Sequence, residues 1–509
     1  MSKIAVFGID GGTLSLIEQW KEELPTFKRI IEGGVYGELL STVPALTSPA
    51  WPCMFTGKNP GKLGIYDFLS LKLDERNMPR VIDSEDYQSS SLWKILNDYG
   101  KKVGLLNVPI TYPAHKIDEF VVCGVGVPEI SGIKYTYPPE LKKTLDKIVG
   151  GYEITPRVML KLYNQEEKCL HSAEEVLEKR VQAAKYLINN SSCDIFACVF
   201  FTSDIIQHYF WRYMDKSHPK YVADSKYANV IKDFYKRIDK AIGTLIRELP
   251  DANIFIVSDH GFGPCYGGFS LNKWLERNGY LKYKHGASHK RINASLRNVR
   301  DLLIAHLSPK FTNLVAKVIP QNIANKLTAS GESKDEMATL YQDMDWDKTK
   351  AYALGTSTGG IFIRNVEGDY EKIRKEIIDK LGAINDPSGK PLGMRILKKE
   401  EIYSGKYFNQ APDIFIELGS SKYYPMAFGN DSIWIDYAVS GSHIPQGLFM
   451  AYGRDIKQKG TKLSGLRIYD ITPTILYAMN TPIPEDMDGR VLNEIFRGKN
   501  ESSSGNPLL

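Results

Sequence analysis

The sequence predicts an α/β fold: a mainly parallel sheet sandwiched by helices, with a helical and α+β insert. Three observations lead there. Apolar runs of strand length recur along the first 280 residues. Amphipathic helical stretches separate them, an alternation that builds a parallel sheet covered on both faces. Polar residues stand where those strands end, which is the edge at which open α/β sheets bind ligands.

Taken in order, "KIAVFGID" reads as a buried strand ending at Asp10, and "EELPTFKRIIEGG" as a helix stopped by glycines. "KKVGLLNVPI", "CDIFACVFFTSD" and "ANIFIVSDHG" are further apolar strands. "AEEVLEKRVQAAKYLINN" and "VIKDFYKRIDKAIGTLIREL" carry the helical period between them. Beyond a basic helical stretch, "AYALGTSTGGIFIRN", "DYEKIRKEIIDKLGAI" and "APDIFIELG" describe a small α+β unit. "SGSHIPQGLFMAYG" returns to a strand, and "LRIYDITPTILYAMNTPIPEDMDGRVL" supplies a closing helix and loop. The division expected is a core at 1–280 and 410–497, a basic helical and small α+β cap at 281–409, and a disordered tail at 498–509.

The 509 residues are 43% hydrophobic and 25% charged, an ordinary globular composition. No apolar run reaches the roughly 18 residues of a membrane span. The start lacks a secretory h-region and cleavage site. Six cysteines, at 53, 123, 169, 193, 198 and 265, form no CxxC pair. That pattern fits a reducing cytoplasm and argues against a cysteine-based zinc site. The net charge of +5 is small, and no nucleic-acid partner is expected. Between Lys282 and Ser330, however, nine Lys/Arg face one Asp. The helical spacing of "LRNVRDLLIAHL" and "FTNLVAKVI" makes this stretch a candidate lid over an anionic substrate, or a peripheral contact with an anionic membrane. A solvated outer face is the plain alternative.

Two nucleotide motifs fail on inspection. In "GKNPGKL" only three residues separate Gly57 from Gly61, and Leu63 stands where a P-loop needs Ser or Thr. "FGIDGGT" lacks the second hairpin strand that actin-like ATPases place after the glycines.

The nine histidines can be read completely. Asp204 and His208 are four apart, on one face of a helical turn. Asp259 and His260 are adjacent at a strand exit, where diverging side chains suit two cations or a bridge. His443 lies in the glycine-flanked "SGSHIPQG". The other six, at 115, 171, 218, 285, 289 and 306, lack a comparable setting. With Asp10, three carboxylates and three imidazoles point to a two-metal site, best suited to zinc, with manganese or magnesium as alternatives. A hydroxyl would complete it. "TSP" precedes a helix predicted to start at Pro49, which puts Thr47 or Ser48 at an N-terminus that attracts phosphate. A divalent cation can ionise such a hydroxyl. The plain reading of this position is an N-cap.

The set Asp10, Thr47, Asp204-x-x-x-His208, Asp259-His260 and His443 resembles the pattern of the alkaline phosphatase superfamily, nearest its type I phosphodiesterase/nucleotide pyrophosphatase branch. The resemblance spans about 3–280 and 410–495, and it includes the closing segment. It implies one divalent ion on Asp204, His208 and His443, and a second on Asp10, Asp259 and His260. Thr47 would attack phosphorus in line and form a phospho-threonine. Sulfatases carry Cys or Ser at the nucleophile position and an Arg where this chain has Trp51, and phosphoglycerate mutases use Ser; threonine favours the phosphodiesterase branch. The Asn that holds a phosphate oxygen in nucleotide pyrophosphatases aligns with Phe68, beside Asp67. Asn107 and the Ser48 backbone are the candidates to replace it.

The expected activity is therefore metal-dependent hydrolysis of a small phosphodiester or pyrophosphate. The alternatives are a phosphomonoesterase or phosphomutase of the same superfamily, or a non-catalytic protein that binds a membrane surface.

Overall fold

A computed structural model describes residues 3–73, 79–87, 90–127, 134–156, 165–284, 343–355, 359–364, 368–417, 422–427, 432–436, 439–457 and 459–497. Most of the basic 282–330 segment and the tail at 498–509 lie outside these residues.

The core strands are β1 (Lys3–Ile9), β2 (Val35–Leu40), β3 (Val103–Val108), β4 (Phe120–Cys123), β5 (Thr136–Tyr137), β6 (Ile195–Phe200), β7 (Ala252–Val257), β8 (Gly261–Pro264), β9 (Gly441–Ile444), β10 (Gln446–Tyr452) and β11 (Thr461–Arg467). Nine of them form one sheet in the order β11-β2-β10-β7-β1-β6-β3-β4-β5. β3, β6 and β7 are buried at every position, as is β1 after Lys3, which accounts for their unbroken apolar sequences. The edge strand β11 is largely exposed and carries Lys462 and Arg467, the charge that keeps a free edge from pairing.

The helices that matter for the site are α1 (Thr47–Thr56), α2 (Glu166–Asn189), α3 (Thr202–Met214), α4 (Val230–Arg247) and α5 (Ile471–Ala478). α2 and α4 follow the predicted helical periods, burying Ala173, Leu177 and Ala184 in one and Phe234, Ile238 and Ile242 in the other.

Three features depart from the sequence reading. β10 runs antiparallel to β7 and to β2. β7 runs on into β8, β9 pairs antiparallel with β8, and the chain passes from β9 straight into β10, so β10 runs back along β7. β2 was not expected from sequence, and part of the predicted closing segment is the strand β11. Finally, Ile414–Glu417 pairs with Gly360–Ile363 and Arg395–Lys398, so the smaller sheet extends past residue 409. That four-stranded sheet carries the helix Tyr370–Gly382, and its core is built on Ile361, Ile373, Ile377, Leu381 and Ile414.

β7, β1 and β6 are neighbours in the sheet. Their carboxyl ends therefore set Asp10, the start of α3, and Asp259-His260 side by side.

Candidate metal centre

Asp10 follows β1 and is fully buried; its backbone N–H donates to Phe200 O at 3.1 Å, and Ser203 Oγ donates to its carbonyl at 2.7 Å. The chain then turns through Gly11 at φ +67°. A Cβ there would lie 2.7 Å from the Phe262 ring, so only glycine makes this turn without displacement. Gly11 N–H donates to Asp259 Oδ1 at 3.1 Å, and Gln207 Nε2 donates to Gly11 O at 2.9 Å. The turn thus ties the exits of β1 and β7 to α3.

Asp204 and His208 share one face of α3, as their spacing predicts, with His208 Nε2 3.5 Å from Asp204 Oδ1. His443 arrives on β9, in register with Phe262 on β8. Its Nε2 lies 3.1 Å from both Asp204 Oδ1 and His208 Nε2. Its ring stacks on that of His260 at a centroid distance of 3.6 Å.

Asp259 and His260 do not diverge as the sequence reading expected. β7 ends at Val257, the backbone bends at Asp259, and strand alternation no longer applies. His260 Nε2 lies 3.2 Å from Asp259 Oδ2 and 3.7 Å from Asp10 Oδ1. Ligand atoms fall into two overlapping groups, Asp204–His208–His443 and Asp10–Asp204–His260, so Asp204 belongs to both.

Nδ1 of His208, His260 and His443 lies at 2.8, 3.1 and 3.1 Å from the carbonyls of Gly441, Gly261 and Ala45, which can only accept. The tautomer that carries its proton on Nδ1 satisfies these carbonyls and leaves Nε2 to ligate a cation. Burial, reinforced by Asp259 and Asp204, pushes the Asp10 carboxyl well above the usual range. Burial pushes Asp259 up to about 7. Burial also opposes ionisation of Asp204, but His208 and His443 outweigh it and hold that carboxyl below the usual range. Burial lowers His208 and His260, and His443 adds to both effects. Asp259 Oδ2 is buried without a hydrogen-bond donor. Converging lone pairs, crowded carboxylates and an orphaned oxygen fit divalent cations, which would satisfy all three at once.

The helix α1 begins at Thr47, two residues before the predicted start, and Leu46 holds the cap position without a side-chain cap bond. Thr47 is therefore no plain N-cap. Its Oγ1 sits 3.5 Å from Asp10 Oδ1 and 3.4 Å from His260 Nε2. Ser48 Oγ and Asn107 Oδ1 are buried without hydrogen-bond partners, and Asn107 Nδ2 donates to Val199 O at 3.4 Å. Asn107 also holds φ +60°, a strained backbone for a residue with a side chain. Asp67 is fully buried, and its Oδ1 accepts from Leu69 N–H.

The glycine-lysine run binds no phosphate in the manner of a P-loop. Lys58 and Lys62 instead pair with Asp486 and Asp488 of the closing segment. His218, which sequence reasoning set aside, is a structural residue: it is buried between Cys265 O and the Lys220 N–H. Sequence reasoning also missed Trp51, whose indole N–H donates to Asp10 Oδ2 at 2.9 Å.

A family model for type I phosphodiesterase / nucleotide pyrophosphatase matches residues 4–443. The chain belongs to this family. It is accordingly a phosphodiesterase/nucleotide pyrophosphatase-like hydrolase of the alkaline phosphatase superfamily, in a family that acts on small phosphoester or nucleotide substrates through a two-metal site. Among solved structures it is similar to human ectonucleotide pyrophosphatase/phosphodiesterase 5, with 14% identity and a TM-score of 0.52 over 97% of this chain and 100% of that one. An inactive form of the murine protein in complex with AMP matches at 14% identity and a TM-score of 0.51, over 95% of this chain and 96% of that one. These likenesses establish the fold. No curated protein matches the chain.

Proposed function

We propose that this chain hydrolyses phosphodiester or pyrophosphate bonds with Thr47 as nucleophile, passing through a phospho-threonine. The observation that carries the reading is the position of Thr47 Oγ1, between Asp10 Oδ1 and His260 Nε2 and at the N-terminus of α1. Two divalent ions, zinc foremost, would be held by Asp204, His208 and His443 and by Asp10, Asp259 and His260; the ligand atoms of the first set converge, as do those of Asp10 and His260 with Asp204, while Asp259 stands outside both groups. They would supply charge neutralisation for the phosphoryl group and for the ionised hydroxyl. The residues themselves do the rest. Asp10 and His260 orient the Thr47 hydroxyl, whose proton would leave to solvent as the cation lowers its pKa. Free backbone N–H groups at the start of α1 face an incoming phosphate oxygen. Asn107 and Ser48 are proposed as further phosphate contacts; the unpartnered Ser48 hydroxyl can donate to a phosphate oxygen, while Asn107 would do so by turning its Nδ2 from Val199 O.

The proposed substrate is a nucleotide-linked or lipid-linked metabolite; that the inactive murine neighbour is in complex with AMP, a nucleotide monoester, supports the nucleotide half of this reading. The basic 282–330 segment is proposed as its lid or as a membrane contact. A cytoplasmic setting is proposed from six buried, unpaired cysteines. The test is Thr47→Ala, assayed on bis(p-nitrophenyl) phosphate with bound metal measured in parallel. Turnover is expected to fall to background while metal content is unchanged. Undiminished turnover would remove Thr47 from the mechanism. The ratio of diester to monoester rates separates this reading from a phosphomonoesterase.

A further inference from the structure

We infer that Trp51 is a positioning residue for the metal centre: its indole N–H holds one oxygen of Asp10, so that the carboxylate presents only the other to the cation and to Thr47. The inference rests on the two-cation reading above.

Thr47 and Trp51 are four residues apart on α1 and so share a helix face. Both reach the same carboxylate from that face, on different oxygens. Trp51 Nε1 donates to Oδ2 at 2.9 Å, and Thr47 Oγ1 approaches Oδ1 at 3.5 Å. His260 Nε2 also faces Oδ1, at 3.7 Å. Among the described residues no other side chain donates to Oδ2. A buried indole N–H needs an acceptor, and a backbone carbonyl would ordinarily serve. Here the acceptor is the carboxylate that faces the nucleophile.

The packing around the ring makes the placement rigid. Trp51 is fully buried and stacks on Phe55 at a centroid distance of 5.9 Å. Beside its six-membered ring lies Gly8, two residues before Asp10 on β1. A Cβ at Gly8 would stand 2.4 Å from Trp51 Cη2, so the strand gives up a side chain where the indole passes. The sequence thus provides both the ring and its slot.

The donor type matters as well. A guanidinium at this position would offer two donors and a positive charge that competes with a cation for Asp10. An indole offers one neutral N–H. It occupies one oxygen and leaves the negative charge available. A hydrogen bond to a ligating carboxylate that fixes its orientation typically accounts for about 10- to 100-fold in metal affinity.

The test replaces Trp51 with benzothienylalanine, which keeps the bicyclic shape but carries sulfur in place of N–H, and in parallel with Phe (Trp51→Phe). Zinc is titrated into apo-protein against a chromophoric chelator, giving two stepwise constants, and the apo-protein melting temperature is recorded. The expected result is that one constant weakens by about 10-fold or more, the other stays within about twofold, and the analogue leaves the apo-protein melting temperature unchanged. Two unchanged constants would overturn the inference. So would equal weakening of both with a lowered melting temperature, which makes Trp51 a packing residue. If unmodified protein takes up no zinc, manganese or magnesium, the two-cation reading fails and carries this one with it. That outcome is visible before any variant is compared.

Discussion

His208 and His443 face each other, Nε2 to Nε2 at 3.1 Å, while each Nδ1 lies against a backbone carbonyl. With each ring's proton on Nδ1, two lone pairs at that separation repel, and a cation set against both converts the repulsion into binding. Chelation is therefore expected to lower the melting temperature, and added zinc, manganese or magnesium to restore it. A ligand at 100 times its Kd stabilises by about 2.7 kcal/mol. His443→Ala should lower bound metal by about one ion per chain, read by elemental analysis. A melting temperature indifferent to chelator would contradict this account.

Gly11 links the two carboxylates across the sheet. Gly11→Ala adds a Cβ 2.7 Å from the Phe262 ring at φ +67°, and Phe262 is in register with His443. The variant should lose about 1–3 kcal/mol, the usual cost of overpacking. The loss is read from urea denaturation. Metal uptake should fall with it, because Gly11 N–H holds Asp259. A native urea midpoint with native metal content would refute the link.

His218 provides a pH-dependence separate from the metal centre. Burial lowers its pKa, and its Nε2–H donates to Cys265 O while Nδ1 accepts from Lys220 N–H. The folded ring resists protonation more than the unfolded one. Below the unfolded value of about 6.5, the unfolded state binds more protons, so stability falls as pH falls. His218→Gln should flatten this slope between about pH 7 and pH 5, compared with the parent by thermal melts. Parallel slopes for the two proteins would count against a neutral buried ring.

The thiols should be silent in the native state. Burial pushes Cys193 up to about 11 and Cys123, Cys169, Cys198 and Cys265 up to about 12, and raises Cys53 well above its usual value. At pH 8 all six are protonated and shielded. Ellman's reagent should react slowly with native protein and rapidly with six thiols after denaturation. Rapid native reaction would place at least one thiol at the surface.

Much of the site was legible because its residue types stand at recognisable places. Asp10 and Asp259-His260 follow unbroken apolar runs, and Asp204 and His208 keep helical spacing. Those are local signals, carried by period and by the residue that ends each run. Other features left no such trace. The convergence of Asp259 with His260 depends on a bend after Val257, where the two-residue period stops. The antiparallel course of β10 depends on the pairing of β9 with β8, strands far apart in the chain. Trp51 reads in sequence as one more apolar residue on a helix. Its donation to Asp10 appears only when α1 lies across Gly8.

The sequence by itself determined the central strands, the long helices and the chemistry available at the strand exits, because those depend on neighbours a few positions away. Only the tertiary structure decided which exits meet. Asp10, Asp204 and Asp259 come together because β7, β1 and β6 pair in that order, an order set by packing between segments up to 250 residues apart. The same packing made Asp204 common to both ligand groups and turned three Nε2 atoms inward. It also gave Thr47 a carboxylate and an imidazole in place of the role of a helix cap.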